Sequence, residues 1–156
     1  MKFHLKLFIL CLAFPLIVGG LAGLITNDSM MTFQMLNKPA LSPPGFLFPI
    51  VWTILYILMG ISSYLILHSE DNSETLNTAL KFYIAQLAVN FFWPIFFFTF
   101  EWYLFSFFWL LLLIVLVICT IILFAKISKP AAYLMTPYLL WLIFAGYLNL
   151  SIYLLN

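Results

Sequence analysis

Trp102-Tyr-Leu-Phe-Ser-Phe-Phe-Trp-Leu-Leu-Leu-Leu-Ile-Val-Leu-Val-Ile-Cys-Thr-Ile-Ile-Leu-Phe-Ala125 contains no Asp, Glu, Lys or Arg. Wound as a helix at about 1.5 Å per residue, it exceeds the ~30 Å hydrocarbon thickness of a bilayer. Four further stretches read the same way: Leu7–Asn27, Pro39–Ser69, Phe82–Phe100 and Pro130–Asn156. The chain is 66% hydrophobic and 7% charged, with mean hydropathy +1.17. Soluble domains carry about 25% charged residues, so this chain has no side chains from which to make a water-facing shell. In lipid the backbone must satisfy itself, which leaves helix bundles and closed barrels. Barrel strands are ~10 residues long and alternate in polarity, whereas these runs are longer and do not alternate. The expectation is an all-α membrane protein, a five-transmembrane-helix bundle, with residues 1–156 forming one domain.

Spans are expected near 5–26, 45–68, 79–100, 103–126 and 131–154. The first linker, 27–44, includes Lys38, Pro39, Pro43 and Pro44, and its prolines predict a rigid, non-helical path covering one end of the bundle. The second linker, His68 to Thr78, carries Glu70, Asp71 and Glu74 and reads as a solvated loop. Lys2, Lys6, Lys81, Lys126 and Lys129 fall on the side of the N-terminus and Lys38 alone on the other. The positive-inside rule then places the N-terminus in the cytoplasm of a multi-pass protein. All-Lys cation usage with abundant Phe, Ile and Asn leans toward an AT-rich bacterial genome, hence a bacterial plasma membrane. The first span has a basic start, but it runs longer than a signal-peptide core and lacks an Ala-x-Ala site, so it is read as an anchor.

Several chemistries find no support. A net charge of +1 offers no basic stripe for nucleic acid. Cys11 and Cys119 sit in apolar spans and read as small buried hydrophobes. The spans contain no acid pair, no Ser-His-Asp set and no zinc spacing, so no cofactor and no metal site is expected. His4 and His68 share the N-terminal side. Ordinary helix-end histidines are the stronger reading, and joint ligation of a haem iron the weaker.

The informative residues are polar and aromatic side chains at membrane depth. Trp52, Tyr56, Met59 and Ser63 share one face of the second span. Gln86, Asn90, Trp93 and Phe97 do so in the third, and Trp141, Ala145, Leu148 and Ile152 in the fifth, with Asn149 at that face's edge. Gly19, Gly20 and Gly23 give the first span a small-residue surface, read as close helix packing. The three faces overlap in depth beneath the Pro-rich linker, which predicts a cavity lined by indoles, a phenol and carboxamides. Such a cavity suits a flat, mostly apolar ligand. Trp52 and Trp141 would stack on it, Tyr56, Asn90 and Asn149 would hydrogen-bond it, and Lys38 would meet an acidic substituent.

Lys38-Pro39-x-x-x-Pro43-Pro44, Val51-Trp52-Thr53-x-x-Tyr56, Met59-Gly60, Gln86-x-x-x-Asn90-x-x-Trp93-Pro94 and Pro137-Tyr138-x-x-Trp141-x-x-Phe144-Ala145-x-x-Leu148-Asn149 occur in order along nearly the whole chain. This set resembles the TspO/MBR family of tryptophan-rich sensory proteins and translocator proteins, the peripheral benzodiazepine receptor family. The resemblance implies a five-helix bundle, commonly a homodimer, that binds porphyrins and haem-pathway intermediates as ligands rather than cofactors, and isoquinoline or benzodiazepine-type compounds. It also implies a ligand pocket at Trp52, Tyr56, Asn90, Trp93, Trp141, Ala145 and Leu148. Thr32-Phe33 stands where the family has a Trp-Tyr pair, and Leu41 where a Trp is frequent. The basic residue that ends the animal sterol motif has no counterpart after Tyr153. The function expected is a membrane receptor or carrier used in tetrapyrrole sensing, regulation or transport. The alternatives are light-dependent breakdown of protoporphyrin through Trp52 and Trp141, and a dimeric signalling adaptor.

Overall fold

A computed structural model describes residues 2–69 and 73–156. Its helices are α1 (Leu5–Thr26), α2 (Met30–Gln34), α3 (Leu47–His68), α4 (Glu74–Pro94), α5 (Tyr103–Ile127) and α6 (Lys129–Leu155). All but α2 are long and apolar enough to cross a membrane. They form a closed ring in which α1 packs on α3, α3 on α6, α6 on α5, α5 on α4 and α4 back on α1.

The helix ends follow from local chemistry. Pro49 and Pro130 lie in first turns, where the missing N–H has no partner to lose. A single residue, Ser128, joins α5 to α6. Its N–H donates to Phe124 O at 2.7 Å and its hydroxyl accepts from the Ala131 N–H at 3.4 Å. α4 begins at Glu74, earlier than the polar composition of the linker implied, since an acidic residue in a first turn favours the helix dipole. Glu70 and Asp71 of that linker lie outside the described residues.

Two further expectations are corrected. The third span is not α-helical to its end. Pro94 offers no N–H, and the chain widens into a π-helical turn over Ile95–Thr99, closed by the Phe100 N–H on Ile95 O at 3.0 Å. Glu101 then turns the chain with φ 58. The first linker is not wholly non-helical either. Asn27–Ser29 forms a 3-10 turn and Met30–Gln34 the short helix α2, so only the stretch around the prolines is extended.

The bundle divides along its axis. Toward the N-terminal end it is solid, with Met59, Ile66, Leu87, Phe124, Tyr138 and Leu142 essentially inaccessible. Gly60 brings α1 and α3 together there. A Cβ on it would lie 2.8 Å from both Cys11 O and Leu12 Cα. Cys11 O is the carbonyl whose helical donor would be the N–H that Pro15 lacks, so the two backbones meet where α1 carries an unused acceptor. Toward the end covered by α2 the helices part around a cavity.

Candidate functional site

The cavity has a volume of about 350 Å³, within the ~300–1,000 Å³ of small-molecule sites. α1, α3, α4 with its π turn, and α6 supply its walls, and α2 supplies part of its roof. α5 supplies no lining residue and buttresses α4 and α6 from outside. Every candidate read from the three aromatic faces lines it: Trp52, Tyr56, Asn90, Trp93, Phe97, Trp141, Ala145, Leu148 and Asn149. Met59, Ser63 and Gln86, one to two turns deeper on the same faces, lie in the solid part.

The rings set the shape. Trp52 stacks on Tyr56 (centroids 5.6 Å, planes 28° apart) and stands perpendicular to Trp141 at 6.5 Å. Trp93 stacks on Phe97 at 5.1 Å. The result is a slot with aromatic walls at right angles, a geometry suited to receiving a flat ligand's face and edge together.

The polar groups are already committed. Tyr56 OH donates to Asn90 Oδ1 at 2.7 Å, Asn90 Nδ2 donates to Tyr138 OH at 2.6 Å, and Tyr138 OH donates to Gln86 Oε1 at 2.8 Å. Trp93 Nε1 donates to Asn149 Oδ1 at 3.0 Å, and Asn149 Nδ2 donates to Tyr103 O at 2.7 Å. The expectation that Tyr56, Asn90 and Asn149 hydrogen-bond a ligand is narrowed: each already spends one donor between helices, and only the second amide N–H of each asparagine is left. Trp141 Nε1 is the exception, a buried donor with no partner among the described residues. An unpaired buried N–H costs on the order of 1–3 kcal/mol, and since this one has no surface open to the cavity, Trp141 offers the cavity its ring.

The linker is also corrected. Lys38, Pro39, Pro43 and Pro44 do not line the cavity. Lys38 Nζ donates to Gln34 O at 2.9 Å and lies 5.2 Å from the Phe33 ring centroid, and it is Phe33 that lines the cavity. The Pro-rich run is a strap, tied down by Tyr147 OH on Ala40 O at 2.8 Å and by the amide of Asn156 on the backbone of Asn37. The roof itself is Met30 and the buried Phe33, whose ring meets Phe48 at 5.7 Å and Phe98 at 5.2 Å. Phe33 and Phe48 were missed from sequence. Phe48 lies four residues before Trp52, on the extension of the same stripe. Phe33 was hidden because its segment was not read as helical.

The glycines separate into two kinds. A Cβ on Gly19 would collide with the ring of Tyr56, so close packing holds there. Gly20 and Gly23 have no heavy atom within 4 Å of such a Cβ and border the cavity, so for them the packing expectation is corrected within the protomer. His4 and His68 do come together, with ring centroids 5.0 Å apart and planes at 68°. This edge-to-face contact leaves no gap for a porphyrin plane between the two rings.

Fold and site together define a polytopic membrane protein built around an aromatic-walled cavity within the bundle. The profile of the TspO/MBR family matches residues 11–155. The chain belongs to the TspO/MBR family. It is similar to the tryptophan-rich protein TspO of Chlorobaculum tepidum, 36% identical over 94% of each chain. It is 37% identical to the protein of the same name from Archaeoglobus fulgidus, over 90% of this chain and 91% of that one. It is also 36% identical to the translocator protein of Ovis aries, over 84% of this chain and 79% of that one.

Proposed function

We propose that this protein is a membrane receptor or carrier for flat, mostly apolar ligands of the porphyrin kind, held between Trp52 and Trp141. The observation that carries the reading is the perpendicular indole pair lining the cavity. Aromatic faces supply area, and the right angle between the two indoles supplies orientation. The name of the sheep relative, translocator protein, is compatible with a carrier. The lysines near the N-terminal end of the bundle support an N-terminus in the cytoplasm of a bacterial cell.

The test is a titration of purified protein, in detergent or nanodiscs, with protoporphyrin and with haem, reading quenching of tryptophan emission. Saturable quenching is expected. Trp52→Phe and Trp141→Phe should each weaken it by about tenfold, equivalent to ~1.4 kcal/mol. Affinity unchanged in both variants would overturn the assignment of the pocket.

A further inference from the structure

Most lining residues are buried or half-buried. The exposed ones are Gly20, Gly23 and Asn27 on α1 and its end, and Pro49 and Thr53 on α3. An opening must lie where lining residues are exposed, and these five lie on two helices. The helix paths explain why. α1 and α3 are in backbone contact at Gly60, and Gly19 still packs on Tyr56 one to two turns nearer the loop end of α3. Beyond that point α1 leans toward the π turn of α4, where Ser29 and Thr99 hydroxyls lie 3.4 Å apart. α3 does not follow, and the space beside Gly20 and Gly23 stays open. Above, Phe33 and Met30 roof the cavity against water.

The edges of the opening suit lipid. Two glycines carry no side chain there. Thr53 donates its hydroxyl to Pro49 O at 2.7 Å, leaving its methyl as the group without a commitment. Asn27, at the end of α1, is the polar member. We propose that this cleft is a lateral portal, through which the cavity exchanges ligand directly with the leaflet on the α2 side. The natural ligand is then one that partitions into the bilayer before it binds. The inference rests on the cavity being a ligand site, but its test needs no ligand.

Ala145, on the buried wall of the cavity, is replaced by Cys in a Cys11→Ala, Cys119→Ala chain held in phosphatidylcholine nanodiscs. Labelling by a bilayer-soluble pyrene maleimide is compared with labelling by a sulfonated, membrane-impermeant maleimide. Ile54→Cys, on the exposed surface of α3, reports the reagent concentration in the lipid. Labelling of Ala145→Cys by the pyrene reagent alone is expected. Adding Gly20→Leu and Gly23→Leu, which fill open space, should slow it tenfold or more without changing labelling at Ile54→Cys. Labelling by the charged reagent, no labelling by either, or no slowing by the leucines would each overturn the portal. Labelling as expected in a protein that fails to bind protoporphyrin would leave the portal standing and remove the ligand assignment.

Discussion

Replacing Tyr138 by Phe removes one oxygen from a site with no accessible surface. That oxygen accepts from Asn90 Nδ2 at 2.6 Å and donates to Gln86 Oε1 at 2.8 Å. The variant therefore loses two interhelical hydrogen bonds between α4 and α6 and strands one donor and one acceptor. In a soluble core each stranded partner would cost about 1–3 kcal/mol. In a bilayer the separated helices find other partners, and interhelical bonds average ~0.6 kcal/mol with a ceiling near 1.7. Two of them give roughly 1–3 kcal/mol, with the shape of the core unchanged. Thr53→Val is the matched control, because that hydroxyl bonds within its own helix on an exposed face, and it should be nearly silent. Unfolding in SDS–detergent mixtures, followed by circular dichroism, reads both. Asn90 would lose one of its two anchors, so the tilt of Tyr56 and the stacked Trp52 should relax and protoporphyrin affinity should fall too. A Tyr138→Phe protein as stable as the Thr53→Val control would refute the claim that this chain of amides and phenols holds the cavity floor.

Gly60→Ala should destabilise by about 1–3 kcal/mol through overpacking, because backbone atoms of Cys11 and Leu12 face the new methyl. Gly146→Ala, whose Cβ would meet nothing nearer than Leu110 Cδ2 at 4.0 Å, should be neutral or stabilising, and thermal melts of the pair check the contrast. Asn149→Leu strands the indole N–H of Trp93 and frees Tyr103 O. A loss of about 1–3 kcal/mol is expected, with a shift in tryptophan emission as Trp93 loses its anchor. The cavity lining includes no Asp, Glu, Lys, Arg or His, so affinity for an uncharged flat ligand should stay constant between about pH 5.5 and 8.5, the range in which histidine would titrate. A sigmoidal pH dependence in an equilibrium titration would place an ionisable group in the site.

The five spans were legible because lipid imposes a crude rule: charge-free length is enough to identify a crossing. The three cavity-facing stripes were legible because indole, phenol and carboxamide groups are conspicuous at that depth, and helical spacing adds them into faces. What escaped were features set by the absence of an atom. Pro94 withholds an N–H, and the end of the third span is a π turn, in which Phe98 joins the expected Phe97 at the cavity. Gly20 and Gly23 withhold side chains, and their spacing alone does not distinguish a packed surface from an open edge. Gly60 makes the close contact between helices instead, opposite a carbonyl that Pro15 leaves unpaired. The hydrogen-bond partners of Asn90 and Asn149 were equally out of reach, since an amide looks the same in sequence whether it faces a ligand or a neighbouring helix.

The spent donors change how selectivity must arise. A pocket with several free amides would sort ligands by their polar pattern. Here each phenol and amide is already bonded between helices and the two amides are almost wholly buried, so a polar ligand group entering the slot would find few ready partners. On the proposed function, affinity would follow flat apolar area and fit, which favours breadth. The unpaired N–H of Trp141 does not alter that picture. Its nitrogen has no surface open to the cavity, so a ligand meets the indole ring and not the N–H. Breadth toward flat molecules is thus what the proposed role predicts for a slot whose walls are rings and whose amides already bond between helices.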